Sequence, residues 1–277
     1  MKLQPTHDEI AAYLAEDVGS GDLTASIIPE SKQASALVVT REAMVLCGQA
    51  WFEAVFRQLD PSIVIEWQIQ EGEDVSAGNV LCQLRGPARA LLTGERTALN
   101  LLQTLSATAT VARVYANAIA GSGCKVLDTR KTLPGLRLAQ KYAVKCGGCV
   151  NHRIGLFDAI LIKENHIIAA GSIGAAISQA RAISNVMVEI EVESLDELQE
   201  ALAAHPDRIM LDNFSIDQLK SAVAMNQGQV ELEASGNISL ETIRDIAETG
   251  VDYISIGALT KNVQAIDLSM RIELQAN

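Results

Sequence analysis

The stretch VMVEIEVESLDELQEALAAHPDRIMLDN, residues 186–213, decides the fold class. An apolar, β-branched run ends at Val192, a segment of helical periodicity follows from Ser194, and a second apolar run ends at Asp212. A serine followed by acidic residues caps the free N–H groups of a helix and complements its dipole. The stretch therefore predicts a strand, a helix and a second strand, the unit from which parallel sheets are built.

The same alternation continues through the chain from Lys125 onward. Six clear strand–helix units and one further candidate are present, and no GxGxxG loop accompanies them. This pattern favours a β/α barrel over a doubly wound sheet. The predicted strands are KVLDT (125–129), AILIK (159–163), VMVEIEV (186–192), RIMLDN (208–213), VELEAS (230–235) and YISIG (253–257).

The first part of the chain has a different pattern, in which short β-branched runs alternate with glycine turns. These runs predict a small antiparallel sheet, and GQAWFEAVFRQL (48–59) has the apolar spacing of a helix packed on it. We expect a first domain over residues 1–112 and the barrel over 113–265. One or two long helices over 91–120 should lead into the barrel. A C-terminal helix over 266–277 is expected to pack on the first domain.

The overall charge restricts the kind of partner. The formal net charge is −12 and aromatic residues make up only 4% of the chain, which argues against nucleic-acid binding through a broad basic face or stacked bases. No apolar run approaches the length of a membrane helix, and the first ten residues do not resemble a signal peptide. We therefore expect a cytoplasmic protein in which any bound anion occupies a local pocket.

The residues at the predicted strand ends indicate the chemistry, because the active site of a β/α barrel lies there. The early strands end in cations, the middle ones in carboxylates and the last two in small residues. Adjacent carboxylates can hold Mg²⁺, cations can grip pyrophosphate or carboxylates, and the small residues suit a phosphate. The residues in chain order are Arg130, Lys131, Lys163, Glu191, Asp212, Ser235, Gly236, Asn237 and Gly257. They predict an enzyme for a polyanionic substrate.

A long central motif resembles a known family. DTRKTLPGLRLAQKYAVKCGGCVNHRIGLFDAILIKENHI (128–167) resembles the signature of the quinolinate phosphoribosyltransferase family. Further matching motifs span nearly the whole chain in the family's order. They are EDVGSGDLT (16–24), GERTALN (94–100), EIEVES (189–194), IMLDNFS (209–215), LEASGNIS (232–239) and VDYISIGALTKNVQAIDLSMRI (251–272).

The resemblance implies an N-terminal α/β sandwich joined to an open, TIM-like β/α barrel of the type II phosphoribosyltransferase kind. It also implies Mg²⁺-dependent transfer of phosphoribosyl from phosphoribosyl pyrophosphate to quinolinate. The products would be nicotinate mononucleotide, pyrophosphate and CO₂, in de novo NAD biosynthesis. A paralogue acting on another acid or base, and a binding protein without catalysis, remain alternatives.

The resemblance also implies roles for individual residues. Arg130, His152 and Arg153 would grip the quinolinate carboxylates, while Lys131 and Lys163 would bind the pyrophosphate and the transferred ribose. Glu191 and Asp212 would hold the ribose hydroxyls and the metal, directly or through water. Ser235, Gly236, Asn237 and Gly257 would cradle the 5′-phosphate. Arg96 would enter the site of a neighbouring subunit, which makes the active unit a homodimer.

Other features of the same region have plainer interpretations. Arg137, Lys141 and Lys145 recur at helical spacing and predict a solvated helix face. Cys146 and Cys149 form a C-x-x-C pair, but the pair follows a predicted helix and no fourth zinc ligand is identifiable, so a redox or zinc site is disfavoured. The turn pattern of residues 70–87 suits a biotinyl-like carrier, yet no lysine occurs between Lys32 and Lys125 to accept a cofactor.

Overall fold

The computed structural model describes residues 4–274, and the chain divides into two units. The first unit comprises the residues up to Arg113, Leu138–Gly148 and the residues from Asn262 onward. The second comprises Val114–Arg137 and Cys149–Lys261. Each unit contains its own main β-sheet.

The first unit is built on a four-stranded antiparallel sheet with the order β12 (Leu268–Leu274), β1 (Gln33–Thr40), β5 (Val80–Pro87) and β3 (Val64–Trp67). Along β1 buried residues alternate with more exposed ones, as expected for a strand with one face on a core. The predicted helix over 48–59 is present as α2, with Trp51, Phe52, Val55 and Phe56 buried. The elements are α1 (His7–Val18), β1 (Gln33–Thr40), β2 (Met44–Val45), α2 (Gln49–Leu59), β3 (Val64–Trp67), β4 (Asp74–Val75), β5 (Val80–Pro87), α3 (Ala88–Ala118), α4 (Arg137–Cys146) and β12 (Leu268–Leu274).

The predicted C-terminal helix is wrong, because the segment forms strand β12. Leu268, Met270, Ile272 and Leu274 alternate with polar residues, and this period of two is typical of a strand. The strand pairs antiparallel with β1, for example Leu37 opposite Arg271. It therefore lies on the first unit as expected, but by strand pairing. Residues 275–277 of the prediction lie outside the described residues.

Helix α4 corrects the predicted solvated face. Lys141 is fully buried, together with Gln140, Ala143 and Val144, so more than one face of α4 is excluded from solvent. Arg137 is half-buried and donates from Nε to Thr132 Oγ1 at 3.1 Å. Among the three cations only the prediction for Lys145, which is exposed, is confirmed.

The second unit is built on a parallel six-stranded sheet. Its order is β6 (Lys125–Leu127), β11 (Tyr253–Ser255), β10 (Glu231–Ser235), β9 (Arg208–Asp212), β8 (Met187–Val192) and β7 (Ala159–Ile162). The first strand of the unit therefore lies beside the last, as in a barrel. In the described residues no ladder joins β6 to β7, and the barrel is therefore open there. An isolated bridge between Leu127 and Val150 takes the place of a seventh strand. The strands are β6 (Lys125–Leu127), β7 (Ala159–Ile162), β8 (Met187–Val192), β9 (Arg208–Asp212), β10 (Glu231–Ser235) and β11 (Tyr253–Ser255).

The helices between these strands begin as the capping pattern predicted. The side chains of Ser172, Ser194 and Ser215 each accept a hydrogen bond from the backbone N–H three residues on. The helices are α5 (Glu164–Ala170), α6 (Ile173–Ile183), α7 (Leu195–Ala203), α8 (Ile216–Asn226), α9 (Ile243–Ala247) and α10 (Ala258–Lys261). Within residues 4–274, no helix has the length and apolar character needed to cross a membrane.

Candidate active site

A cavity of about 450 Å³ lies at the carboxyl ends of the parallel strands. This volume suits a small-molecule ligand, and the position is the one expected for an active site of this architecture. Eight of the residues predicted from the sequence line it. They are Arg130, Lys131, His152, Arg153, Lys163, Glu191, Asp212 and Ser235.

Four cationic side chains face this cavity, and three of them have no carboxylate partner. In the described part of the chain, no ion pair involves Arg130, Lys131 or Arg153, whereas Lys163 pairs with Glu191. Burial, and then the charge of Arg130, lowers the pKa of the Arg153 guanidinium. Cations gathered at one cavity suit an anionic ligand.

Two carboxylates hold the loop that carries Arg153. Asp128 is fully buried and accepts hydrogen bonds from the His152 backbone N–H at 2.9 Å and from Asn151 Nδ2 at 2.7 Å. Asp158 accepts from two successive backbone N–H groups of the loop. The Arg153 guanidinium in turn donates to a carbonyl at the start of β7. These bonds place Arg153 at the cavity wall.

Two further carboxylates line the cavity at the ends of the adjacent strands β8 and β9. The Glu191 carboxylate contacts the Lys163 ammonium, and Asp212 Oδ2 accepts from Asn213 Nδ2 at 2.7 Å. Glu191 is the one glutamate of the series 189, 191 and 193 that lines the cavity. Carboxylate oxygens are ligands that Mg²⁺ accepts, so Glu191 and Asp212 have the chemistry needed to hold a magnesium ion.

The predicted phosphate loop approaches its neighbours closely. Gly236 has φ +98°, and a Cβ atom there would lie 2.1 Å from Asn213 Oδ1. A Cβ atom on Gly257 would lie 3.1 Å from Lys131 Cδ. In the described residues, Gly236, Asn237 and Gly257 are not part of the cavity lining, but their loops adjoin the lining residues Ser235 and Lys131. Only glycine suits the close approach at residue 236.

The floor of the cavity contains a buried histidine–carboxylate cluster. His152 Nδ1 accepts from the Arg153 backbone N–H at 2.7 Å, while His152 Nε2 lies 2.8 Å from Glu189 Oε2 and 3.6 Å from Glu233 Oε2. Both carboxyl groups are fully buried, and Arg208 Nη1 donates to Glu233 at 3.4 Å. Burial raises the pKa of Glu189. Burial, and then the neighbouring Glu189, raises the pKa of Glu233 to about 8.

The strand-end pattern does not point to Glu233 as a cavity residue. It points to the last residues of each strand, whereas Glu233 lies two residues before Ser235 and therefore on the same face of β10. That period of two was the signal that could have found it. The other lining residues that were missed are Thr129, Leu161, Met210 and Ser255.

Two sets of predicted residues are not brought to the cavity. Arg96 is exposed on α3 in the first unit and does not line the cavity. Cys146 and Cys149 belong to different units, and neither potential metal-ligand cluster within residues 4–274 contains both of them. Burial raises the pKa of the Cys149 thiol to about 12, which is unlike a reactive thiol.

Comparisons with known proteins agree along almost the whole chain. A family model described as "Quinolinate phosphoribosyl transferase, C-terminal domain" matches residues 108–271, and the corresponding N-terminal domain model matches 22–106. A probable nicotinate-nucleotide pyrophosphorylase (carboxylating) of Bacillus subtilis is 41% identical over 95% of this chain and 91% of its own length. Its namesake from Synechocystis is 42% identical over 94% and 90%. The solved nicotinate-nucleotide pyrophosphorylase of Francisella tularensis superposes with a TM-score of 0.94 at 48% identity, covering 98% of each chain.

Proposed function

We propose an assignment of catalytic roles on one premise: the chain belongs to the quinolinate phosphoribosyltransferase family and has that family's decarboxylating activity in NAD biosynthesis. The observation that carries the assignment is the row of unpaired cations facing the carboxylates Glu191 and Asp212 across one cavity. Quinolinate is a dicarboxylate and phosphoribosyl pyrophosphate has phosphates at both ends. Cations and carboxylates in one cavity suit both substrates.

Arg130 and Arg153 bind the two quinolinate carboxylates with charge-assisted hydrogen bonds, each contributing about 1.5–3 kcal/mol. His152 belongs to the same binding set, but its two ring nitrogens already face the Arg153 backbone N–H and Glu189. Its role is therefore to place Arg153 and to present its ring to the substrate.

The second substrate lies along the other strand ends. Lys131 and Lys163 bind the pyrophosphate, and Glu191 and Asp212 hold the ribose hydroxyls. The 5′-phosphate lies against the backbone of Ser235, Gly236, Asn237 and Gly257. The close approaches at the two glycines support this placement. When bound by Glu191 and Asp212, Mg²⁺ would neutralise charge that develops on the leaving pyrophosphate.

The reaction follows from this arrangement of charges. The ring nitrogen of quinolinate attacks ribose C1 as pyrophosphate leaves, and positive charge develops on the sugar beside Glu191 and Asp212. The glycosylated ring is then a pyridinium, which accepts the electron pair left when the adjacent carboxylate departs as CO₂. No covalent bond to the protein is required, so orientation and electrostatics supply the catalysis.

The active unit is a homodimer in which Arg96 of each subunit completes the other subunit's site. Support comes from the exposure of Arg96 and from its location outside the unit that forms the cavity. The cytoplasmic location stays a prediction.

The deciding experiment measures nicotinate mononucleotide, pyrophosphate and CO₂ with quinolinate, phosphoribosyl pyrophosphate and Mg²⁺ present. All three products should form in equal amounts, and omission of the metal should stop the reaction. Nicotinate is the matched control substrate, since it lacks the carboxylate that leaves. Turnover of nicotinate in preference to quinolinate, or no turnover by folded protein, would contradict the assignment.

A further inference from the structure

The second half of the reaction requires an acid. When CO₂ leaves the pyridinium, the electron pair of the broken C–C bond stays on the ring carbon next to the nitrogen. Nicotinate mononucleotide has hydrogen at that carbon, so a proton must be delivered there. The roles proposed above bind and orient the substrates, and none of them supplies this proton.

Few groups at the cavity can donate a proton at neutral pH. Arginine side chains remain protonated in proteins and are poor acids. Lys131 and Lys163 are assigned to the pyrophosphate, and a serine hydroxyl such as Ser255 is a weak acid. The ring nitrogens of His152 face the Arg153 backbone N–H and Glu189. A carboxyl group that keeps its proton near neutral pH is well suited to the task.

Glu233 lies where such a donor is needed. Its side chain lines the cavity floor and is buried, so water is kept away from it while quinolinate occupies the cavity. It lies 3.6 Å from the His152 ring, and His152 and Arg153 adjoin each other at the wall assigned to the quinolinate carboxylates. A quinolinate held by that wall would have its carboxylates close to the floor.

The surroundings of Glu233 keep a proton in the cluster. Glu189 on β8 faces it, and the carboxyl oxygens of both residues lie within 4.8 Å of His152. Repulsion between two buried carboxyl groups so close together disfavours ionisation of both. The remaining neighbours are Arg208 on β9, the His152 ring and Ser255 on β11. Of the two carboxyl groups it is Glu233 that lines the cavity, and burial and Glu189 raise its pKa to about 8, so Glu233 is the one placed to donate a proton.

We propose that Glu233 is the general acid that protonates the ring carbon vacated by CO₂. The inference rests on the placement of quinolinate proposed above. As the C–C bond breaks with its electron pair on the ring carbon, the Glu233 O–H proton passes to that carbon in the same step, so a new C–H bond forms while CO₂ departs. Glu233 becomes a carboxylate beside Arg208 and regains a proton from solvent after the product leaves.

The test separates the two half-reactions in a single turnover with enzyme in excess. Glu233→Gln keeps the size and polarity of the side chain but removes its acidic proton. Pyrophosphate release should stay within about twofold of wild type, while CO₂ release slows at least about tenfold. Quinolinate mononucleotide, the carboxylated intermediate, should accumulate. Release of both pyrophosphate and CO₂ at wild-type rates would overturn the proposal. A loss of both rates by the same factor would overturn it as well.

Glu231→Gln is the matched control, because Glu231 lies on the same strand and bonds the same Arg208 from the exposed end of β10. Both steps should remain at wild-type rates in this variant. If Glu231→Gln delays CO₂ release as much as Glu233→Gln does, the effect belongs to Arg208 and the proposal fails.

A second measurement uses only the wild-type protein and does not depend on a variant folding. Glu233 loses its proton above pH about 8, so the carboxylated intermediate should accumulate at pH about 9.5 and be absent at pH about 7. No accumulation at high pH would refute the proposal. Wild-type protein that releases neither pyrophosphate nor CO₂ would instead refute the proposed function, and the two failures are therefore distinct.

Discussion

The second unit has two layers of carboxyl groups with different properties. The upper layer, at the strand ends, consists of Glu191 and Asp212, and the lower layer consists of the buried Glu189 and Glu233. Glu191 lines the cavity and pairs with Lys163, whereas Glu189, two residues earlier on the same strand, is fully buried beside His152. Two residues along a strand correspond to about 6.6 Å on the same face. Depth below the strand ends therefore decides whether a glutamate pairs with a cation at the cavity or lies buried against a second carboxyl group.

The largest expected effect is a loss of activity when a carboxylate of the upper layer is replaced. Asp212→Asn removes a negative charge from the position assigned to ribose and Mg²⁺, and kcat/KM should fall about 10²–10³-fold. The melting temperature should stay near that of wild type, because Asp212 is not fully buried. Asp217→Asn, at the exposed first turn of α8, should match wild type in both assays. Equal activity of the two variants would remove Asp212 from the site.

A second subunit should complete the site at the upper layer. Arg96→Ala should lose about 10²-fold in activity, since a charge-assisted contact is removed. Random mixing with Lys131→Ala should restore about a quarter of the wild-type activity, because half of the dimers are mixed and each has one intact site. Subunit exchange is verified by native mass spectrometry. Exchange without any recovery would contradict a site shared between subunits.

The buried carboxyl groups of the lower layer should change how the free energy of unfolding depends on pH. A glutamate whose folded-state pKa is raised to about 8 binds more protons than the unfolded chain between pH about 4.5 and 8. The free energy of unfolding should therefore decrease as pH rises through that window, by at most about 1.4 kcal/mol per pH unit, and then level off.

Urea unfolding of wild type and Glu233→Gln across this window measures the contribution of Glu233. The variant should show a flatter dependence, because the neutral amide does not titrate. Parallel curves for the two proteins would mean that Glu233 is not the group that holds the proton.

The smallest effect is expected at the loop that follows β10. Gly236→Ala forces a side chain into a positive-φ position and against Asn213 Oδ1, and should cost about 2–3 kcal/mol of stability and raise the KM for phosphoribosyl pyrophosphate. Gly78→Ala has a similar φ of +86° with nothing within 4 Å, so it should cost about 1 kcal/mol and leave the KM unchanged. Equal losses would show that backbone strain alone is responsible and that the close approach to Asn213 is unimportant.

Much of the fold could be predicted from local patterns. All six parallel strands were found, since an apolar β-branched run followed by a capped helix is encoded within a few neighbouring residues. Helix α5 was missed because only seven residues of it follow β7 directly. A helix is predicted where strand β12 forms, although Leu268, Met270 and Ile272 alternate with polar residues. The partner strand β1 lies more than two hundred residues earlier in the chain, so a local pattern does not reveal the pairing.

The candidate site was predictable to the extent that it lies at strand ends. Lys163, Glu191 and Asp212 line the cavity as the strand-end rule predicts. The rule does not report depth, so Glu233 was overlooked. Helical spacing placed Lys141 on a solvated face for a related reason, because periodicity identifies a face but does not tell what packs against it.

By itself, the sequence determined the order of strands and helices, the residues at each strand end and the family resemblance. Those features depend on neighbouring residues and on motifs that are contiguous in the chain. Only the tertiary structure decided that His152, Glu189 and Glu233 meet below the cavity and that Lys141 is buried. Both outcomes follow from contacts between segments far apart in the chain, and these contacts exclude water from groups that the local pattern leaves open to it.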